Sequence, residues 1–317
     1  MQDCHSLFYI KESRGHKLMI LLNHAKLLTQ DMLQRGVIET MAKTSGVLQR
    51  LPFVEVVGSG YAYNVVEELP DVQYRAVNGT YTESTAEPKK TVESLVILGG
   101  DADVDVYLTR THSNLNELRA MQTELKAKAV ARQFEKDFFV GDGTSDKLKG
   151  LDARQTGDIA GTKQTEEALT LDSLNELLDN VVDGADAMFM SKTMRREVMK
   201  LLQENQHYIE NGTDAFGRPV AMYGGVEIVP VEDSLIPKNK IYAVKFGTDS
   251  YVHGLSNGGV QARDLGELDT KPCFRTRIEF YCGLATKHKN CFSILEVSEI
   301  SRAKEVQEAK ATKGAKK

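Results

Sequence analysis

From Asn114 to Val140 the sequence keeps one helical pattern without a break, and this stretch constrains the fold more than any other. Asn114 with Glu117 three residues on makes a capping-box start. Leu115, Leu118, Met121, Leu125, Ala129, Val130, Phe134 and Phe138 then recur at helical spacing, and Gly141-Asp142-Gly143 stops the run. At 1.5 Å per residue the helix 114–140 is about 40 Å long. Lys126, Lys128, Arg132 and Lys136 line its other side; a basic stripe of this kind reads as a solvated face, or as a contact where an acidic partner meets it. A rod longer than a small domain needs neighbours along its whole length.

The chain before the rod supplies little core. Thr29 can cap a helix with Met32, Leu33, Val37, Ile38 and Met41 on one face, and Pro52 closes it. From Phe53 the period changes to two. Val54, Val56, Tyr61, Tyr63, Val65, Val72, Tyr74, Val92 and Val96 fall in short β-prone runs, with turns at Gly58-Ser59-Gly60, Asn78-Gly79 and Glu87-Pro88-Lys89-Lys90. Residues 53–98 therefore read as an extended β arm, polar at its far end, that must lean on something else. Asp101, Asp103 and Asp105 alternate as in a calcium loop, but Val106 and His112 stand where that loop needs Gly and Glu. The same spacing puts all three carboxylates on one face of a strand, at a solvated or interface-facing edge.

After Gly150 the pattern alternates between helix and strand. Leu171 to Val182 and Lys192 to Asn205 read as helices, with a short strand Ala187 to Met190 between them. Gly224-Gly225 turns a hairpin, and strands are expected near 241–246, 250–255, 273–284 and 291–297.

Chemistry is hard to find. The seven histidines are dispersed, and Cys4, Cys273, Cys282 and Cys291 hold no short-spaced ligand pair, so they read as buried thiols rather than a zinc or disulfide framework. Gly141-Asp142-Gly143-Thr144 follows a helix and carries an acid where a phosphate would sit. No catalytic residue, cofactor, metal or membrane segment is expected. The net charge of −5 divides into +2 on residues 1–27, +4 on 302–317 and −11 between them, so a dedicated nucleic-acid binder is excluded. A long helix, a coreless arm, an α/β lobe and no active site look built to contact copies of the same chain.

In order and spacing these parts resemble the major capsid protein of tailed bacteriophages, the Hong Kong 97-type fold also used by encapsulin shells. Leu51-Pro52-Phe53, the arm, the long helix, Phe138 to Thr144, Lys149-Gly150-Leu151, Met190 to Met194, Gly217 to Val220 and the strands bearing Arg277, Glu279 and Ala285 carry the likeness. It implies an α+β chain: an N-terminal arm and helix (1–52), an extended β-hairpin loop (53–98), and a peripheral domain (99–149) with the spine helix 114–140. An axial α/β domain (150–255), peripheral return strands (256–289), a final strand (290–300) and a basic tail (301–317) follow. The implied function is a non-enzymatic shell subunit of a phage or prophage head in the virion, assembled in the bacterial cytoplasm. Its partners would be further copies in hexamers and pentamers, a separate scaffolding protein, portal and decoration proteins, and loosely held double-stranded DNA. Some relatives cross-link through a lysine of the extended loop; Lys89 and Lys90 lie there, but no partner Asn can be placed, so an uncross-linked shell is expected. Inter-subunit contacts are expected between Glu83, Glu87, Lys89, Lys90 and Glu93 of the arm and Lys126, Lys128, Arg132 and Lys136 of a neighbour's helix. The alternatives are an encapsulin-like nanocompartment and, more remotely, a cytosolic α/β enzyme.

Overall fold

The computed structural model describes residues 32–66, 70–84, 88–111, 115–144, 146–155, 160–205, 210–213 and 219–298. Thr29, Cys4, Glu87, Gly217 and the basic tail lie outside the described residues. Helix α1 (32–44) stops at Ser45, whose hydroxyl accepts from the Leu48 amide and starts α2 (Gly46–Arg50). Strand β1 (Phe53–Glu55) leads to the arm strands β2 (Gly60–Val66) and β3 (Pro88–Ser94), then β4 (Val96–Asp105), α3 (Val106–Thr111) and the spine helix α4 (Leu115–Val140). Next come β5 (Thr162–Glu166), α5 (Leu171–Asp179), β6 (Ala187–Ser191), α6 (Lys192–Glu204), β7 (Glu210–Thr213), β8 (Pro219–Tyr223) and β9 (Val226–Val231). The last strands are β10 (Lys240–Val244), β11 (Val252–Glu267), β12 (Cys273–Thr286) and β13 (Phe292–Val297). Among the described residues no helix is long and apolar enough to cross a membrane.

Three sheets result: β1-β11-β12-β4, β5-β13-β10-β6-β9-β8-β7, and the isolated arm pair β2-β3. In the seven-stranded sheet β6 is buried along its whole length, as a strand covered on both faces must be. One face packs on α5 and α6 through Leu174, Leu177, Met188, Met194, Val198 and Ile228. The other shares a single core with the spine helix, α1, α2 and the four-stranded sheet; Phe134, Phe138, Phe189, Tyr242, Phe280 and Phe292 all belong to it.

The spine ends in a crossing that only glycine can make. Gly141 N–H donates to the Asp137 carbonyl, Gly150 N–H to the Gly141 carbonyl and Leu151 N–H to the Phe138 carbonyl, each at 2.9 Å. A Cβ at Gly141 or at Gly150 would run into the Asp137 carbonyl oxygen, which is backbone and cannot give way. Asp142 accepts from the Thr144 amide and hydroxyl, so its carboxylate closes this turn on itself.

Several expectations change. The buried face of α4 is Ala127, Val130, Ala131, Phe134, Phe138 and Phe139, while Met121 and Leu125 are half exposed. The helix lies close against β4 at Gly100, over which the Lys126 stem runs. In α1 only Val37 and Met41 are buried; Met32 and Ile38 point out. β1 pairs in parallel with β11, so the chain from Phe53 belongs first to the four-stranded sheet and only then to the arm. β11 runs unbroken from Val252 to Glu267, across the expected boundary at 255/256. Its irregular pairing between Ser256 and Val260, at Gly258 and Gly259 with φ of 71° and 66°, hid that continuity.

Candidate assembly surface

The arm has a rooted base and a loose tip. At the base Tyr63 donates to the Thr286 carbonyl at 2.9 Å and, with Val56 and Val65, packs on Leu255 and Ala285. Burial pushes the Tyr63 phenol up to about 12. Beside it Glu93 of β3 meets Arg154, only 5% exposed, in a forked pair at 2.6 and 3.0 Å. The same guanidinium donates to the carbonyls of Lys149 (3.1 Å) and Leu284 (2.8 Å). Arg154 thus ties the arm to the segment after the spine and to β12.

Among the described residues, 70–84 form no ladder. Asn78, at φ 67°, turns the chain, Gly79 N–H donates to the Ala76 carbonyl, and the limbs are joined by Asp71 N–H to Ser84 Oγ at 3.0 Å. Arg75 sits over the Tyr81 ring at 5.2 Å. Val72, Tyr74 and Val77 are more than nine-tenths exposed, and Tyr81 largely so. Apolar side chains held out on a strand-poor loop mark a contact surface.

Glu93, Lys128 and Arg132, three of the nine charges expected at the contact, have ion-pair partners within the chain. Lys128 pairs with Glu124 at 2.7 Å and Arg132 with Glu232 at 2.7 Å, Lys126 packs over Gly100, and Glu93 belongs to Arg154. Glu83, Lys89, Lys90 and Lys136 are exposed. The spine helix instead offers Met121 and Leu125, with Tyr107 and Leu108 of α3 also exposed.

Two further arrangements stiffen the platform. Across β4 and β12, Arg277 forks onto Asp101 at 2.8 and 3.0 Å, and Arg275 onto Asp103 at 2.7 and 2.6 Å. The guanidinium hydrogen bonds hold both carboxyls below the usual range. Asp105 accepts from the Tyr107 amide at 2.7 Å and so starts α3. The three acids are therefore an edge-strand ladder plus a helix cap. On the spine, Glu135 is buried beneath α2, where the Gly46 and Val47 amides and the Ser45 hydroxyl reach it. Burial pushes its carboxyl up to about 7 against those donors. A folded-state value raised above 4.5 means stability that is full below pH 4.5 and lost as pH rises through 7. Up to about 3 kcal/mol is at stake. The unfolding temperature should fall by several degrees between pH 5 and pH 8, and Glu135→Gln should flatten that fall.

Sequence reasoning missed Arg154, Tyr63 and Glu135 as structural anchors. Nothing in their spacing marks them, since each acts through partners far along the chain. The Asp101/Asp103 and Arg275/Arg277 pairs did carry a signal: opposite charges at matching two-residue spacing in two strands. An apolar groove of about 590 Å³ lies between α1, β1, β11 and β12, lined by Ile38, Met41, Leu48, Phe53, Val260 and Phe280. Cys273, Cys282 and Cys291 are buried thiols, and burial pushes the last two up to about 12.

Residues 29–171 match the family model of the major capsid protein GP7. No protein of curated function matches the sequence. Among solved structures, the holo-SrpI encapsulin complex of Synechococcus elongatus PCC 7942 is 17% identical, with a TM-score of 0.63 over 80% of this chain and 88% of that one. The capsid of the native GTA particle is 14% identical, with a TM-score of 0.62 over 82% and 91%. The capsid asymmetric unit of Cyanophage A-1(L) is 15% identical, with a TM-score of 0.61 over 80% and 93%. These likenesses give the chain the Hong Kong 97-like fold of phage capsid and encapsulin shell proteins, and residues 29–171 carry its match to the major capsid protein family.

Proposed function

We propose that the protein is the structural subunit of a phage or prophage head, forming the hexamers and pentamers of an icosahedral shell around double-stranded DNA. The observation that carries this reading is the arm tip. Val72, Tyr74, Val77 and Tyr81 have no core of their own to enter, and a neighbour's spine helix offers Met121 and Leu125. A patch and its receptor on different parts of one chain make a head-to-tail contact, which builds a ring where the rotation between copies closes. The contact is apolar first; Glu83, Lys89, Lys90 and Lys136 add rim charges worth at most about 1 kcal/mol a pair. An acidic body also suits a container, because a strongly basic lining would hold the packaged polyanion fast.

Electron microscopy of the purified protein, expressed with any neighbouring scaffold gene, should show closed shells, and nucleic-acid absorbance should travel with them. Shells filled with protein instead would favour the encapsulin-like alternative. A monomer under all such conditions would refute both. The shell is also expected to be uncross-linked: boiled in detergent, it should run as one band at the 35.2 kDa of the chain, and a ladder of multiples would point to Lys89 or Lys90.

A further inference from the structure

His253 is wholly buried where the arm leaves the subunit, and its Nε2 has no hydrogen-bond partner. Nδ1 lies 3.0 Å from the Tyr251 carbonyl oxygen. A carbonyl only accepts, so this assignment puts the proton on Nδ1 and leaves a bare lone pair on Nε2. The imidazole meets the Tyr61 ring of β2 edge to face, with centroids 6.0 Å apart. Tyr61 leans on Tyr63 at 5.6 Å and carries the Lys287 ammonium over its own ring at 5.5 Å. These contacts join the arm strand to β11 and to the chain just past β12. The charges facing the imidazole are Lys287, beyond β12, and Asp249, in the turn before β11. Glu93 and Arg154, which pair with each other at 2.6 Å, act on Tyr63 in opposite directions.

We propose that this cluster is a proton-operated clasp: the arm root stays seated while His253 is neutral, and protonation of Nε2 unseats it. A protonated ring would carry a full charge away from water beside a lysine of the same sign, a cost that the Tyr251 and Gly247 backbone and the Asp249 charge offset only in part. Lifting β2 away supplies the water. Burial first, and then the Lys287 charge, hold the imidazole below its ordinary 6.5, while the Tyr251 and Gly247 backbone and the Asp249 charge work the other way. A depressed value means the clasp is fully closed above pH 6.5 and weakens as the pH falls further. Buried polar atoms without partners are rare, and this one is explained by a site that must reject a proton to stay shut. The consequence for assembly, that acid frees the arm to re-aim, rests on the reading that the arm joins subunits.

Hydrogen exchange on the purified full-length protein tests the clasp at pH 7.5 and 5.5, corrected for intrinsic rates. Amides in 60–66 and 88–94 should exchange about tenfold faster at pH 5.5, with those of β10 unchanged as the internal reference. His253→Gln, which takes no proton, should abolish the difference. Lys287→Gln keeps the imidazole and removes the like charge, so the transition should move to higher pH. Equal arm exchange at both pH values would overturn the clasp, as would a Lys287→Gln transition left in place. These readings concern the arm root alone. If the clasp behaves as stated and no shell ever forms, the assembly reading fails and the clasp stands.

Discussion

With residues 70–84 replaced by a short Gly-Ser linker, the protein stays folded and no longer assembles. The replaced segment holds no strand and contributes nothing to the three buried clusters. The root, with Tyr63, Val65 and the Glu93–Arg154 pair, is left intact. Loop closure changes by well under about 1 kcal/mol for a modest change in length. Assembly loses Val72, Tyr74, Val77 and Tyr81, each worth about 1.5–3 kcal/mol if fully buried against a neighbour. Such a loss, repeated at every contact of a ring, removes the shell. Circular dichroism should be close to that of the parent while sedimentation shows only subunits. Shells from this variant would mean that the tip does not couple subunits. The wider replacement, 60–92, also removes Tyr63 and Val65 and would mix failed assembly with a damaged root.

Arg154→Ala should destabilise the subunit by about 3 kcal/mol, because it strands a part-buried carboxylate and two carbonyls at once. The fork onto Glu93 and the bonds to Lys149 and Leu284 all leave together. Arg154→Lys should recover little, since a single ammonium cannot span that fork. The double change Arg154→Met with Glu93→Leu should cost less than Arg154→Ala alone, because neither charge is then left unpaired. Denaturant midpoints with an unchanged slope would measure this. A cost below about 1 kcal/mol for Arg154→Ala would show that water satisfies Glu93 and that the pair is no anchor.

Local order was readable because it depends on neighbours in sequence. The spine runs Leu115–Val140 against the expected 114–140, and the Gly224-Gly225 hairpin is present with both glycines at positive φ. The helix Lys192–Glu204 begins at its Ser191 cap. Which way the spine faces was not readable. Its apolar residues run nearly all round, and which of them are buried is decided by the sheets and helices that fold against it. Which charges find a partner inside the chain was not readable for the same reason. Lys128, Arg132 and Glu93 look free in sequence, and only folding supplies Glu124, Glu232 and Arg154 beside them.

The core shared by the two larger sheets has a mechanical meaning. Phe138 and Phe139 of the spine stand between Phe189 and Tyr242 of one sheet, and Phe134 of the same helix touches Phe280 of the other. The glycine crossing at 141 and 150 stitches the backbone along the same line. A body joined this way has no seam to bend along, because any tilt of one sheet against the other opens voids among tightly packed rings. Copies set at different angles to one another would therefore keep the same rigid tile. The difference in angle falls to the arm tip, which has little internal bonding to resist it.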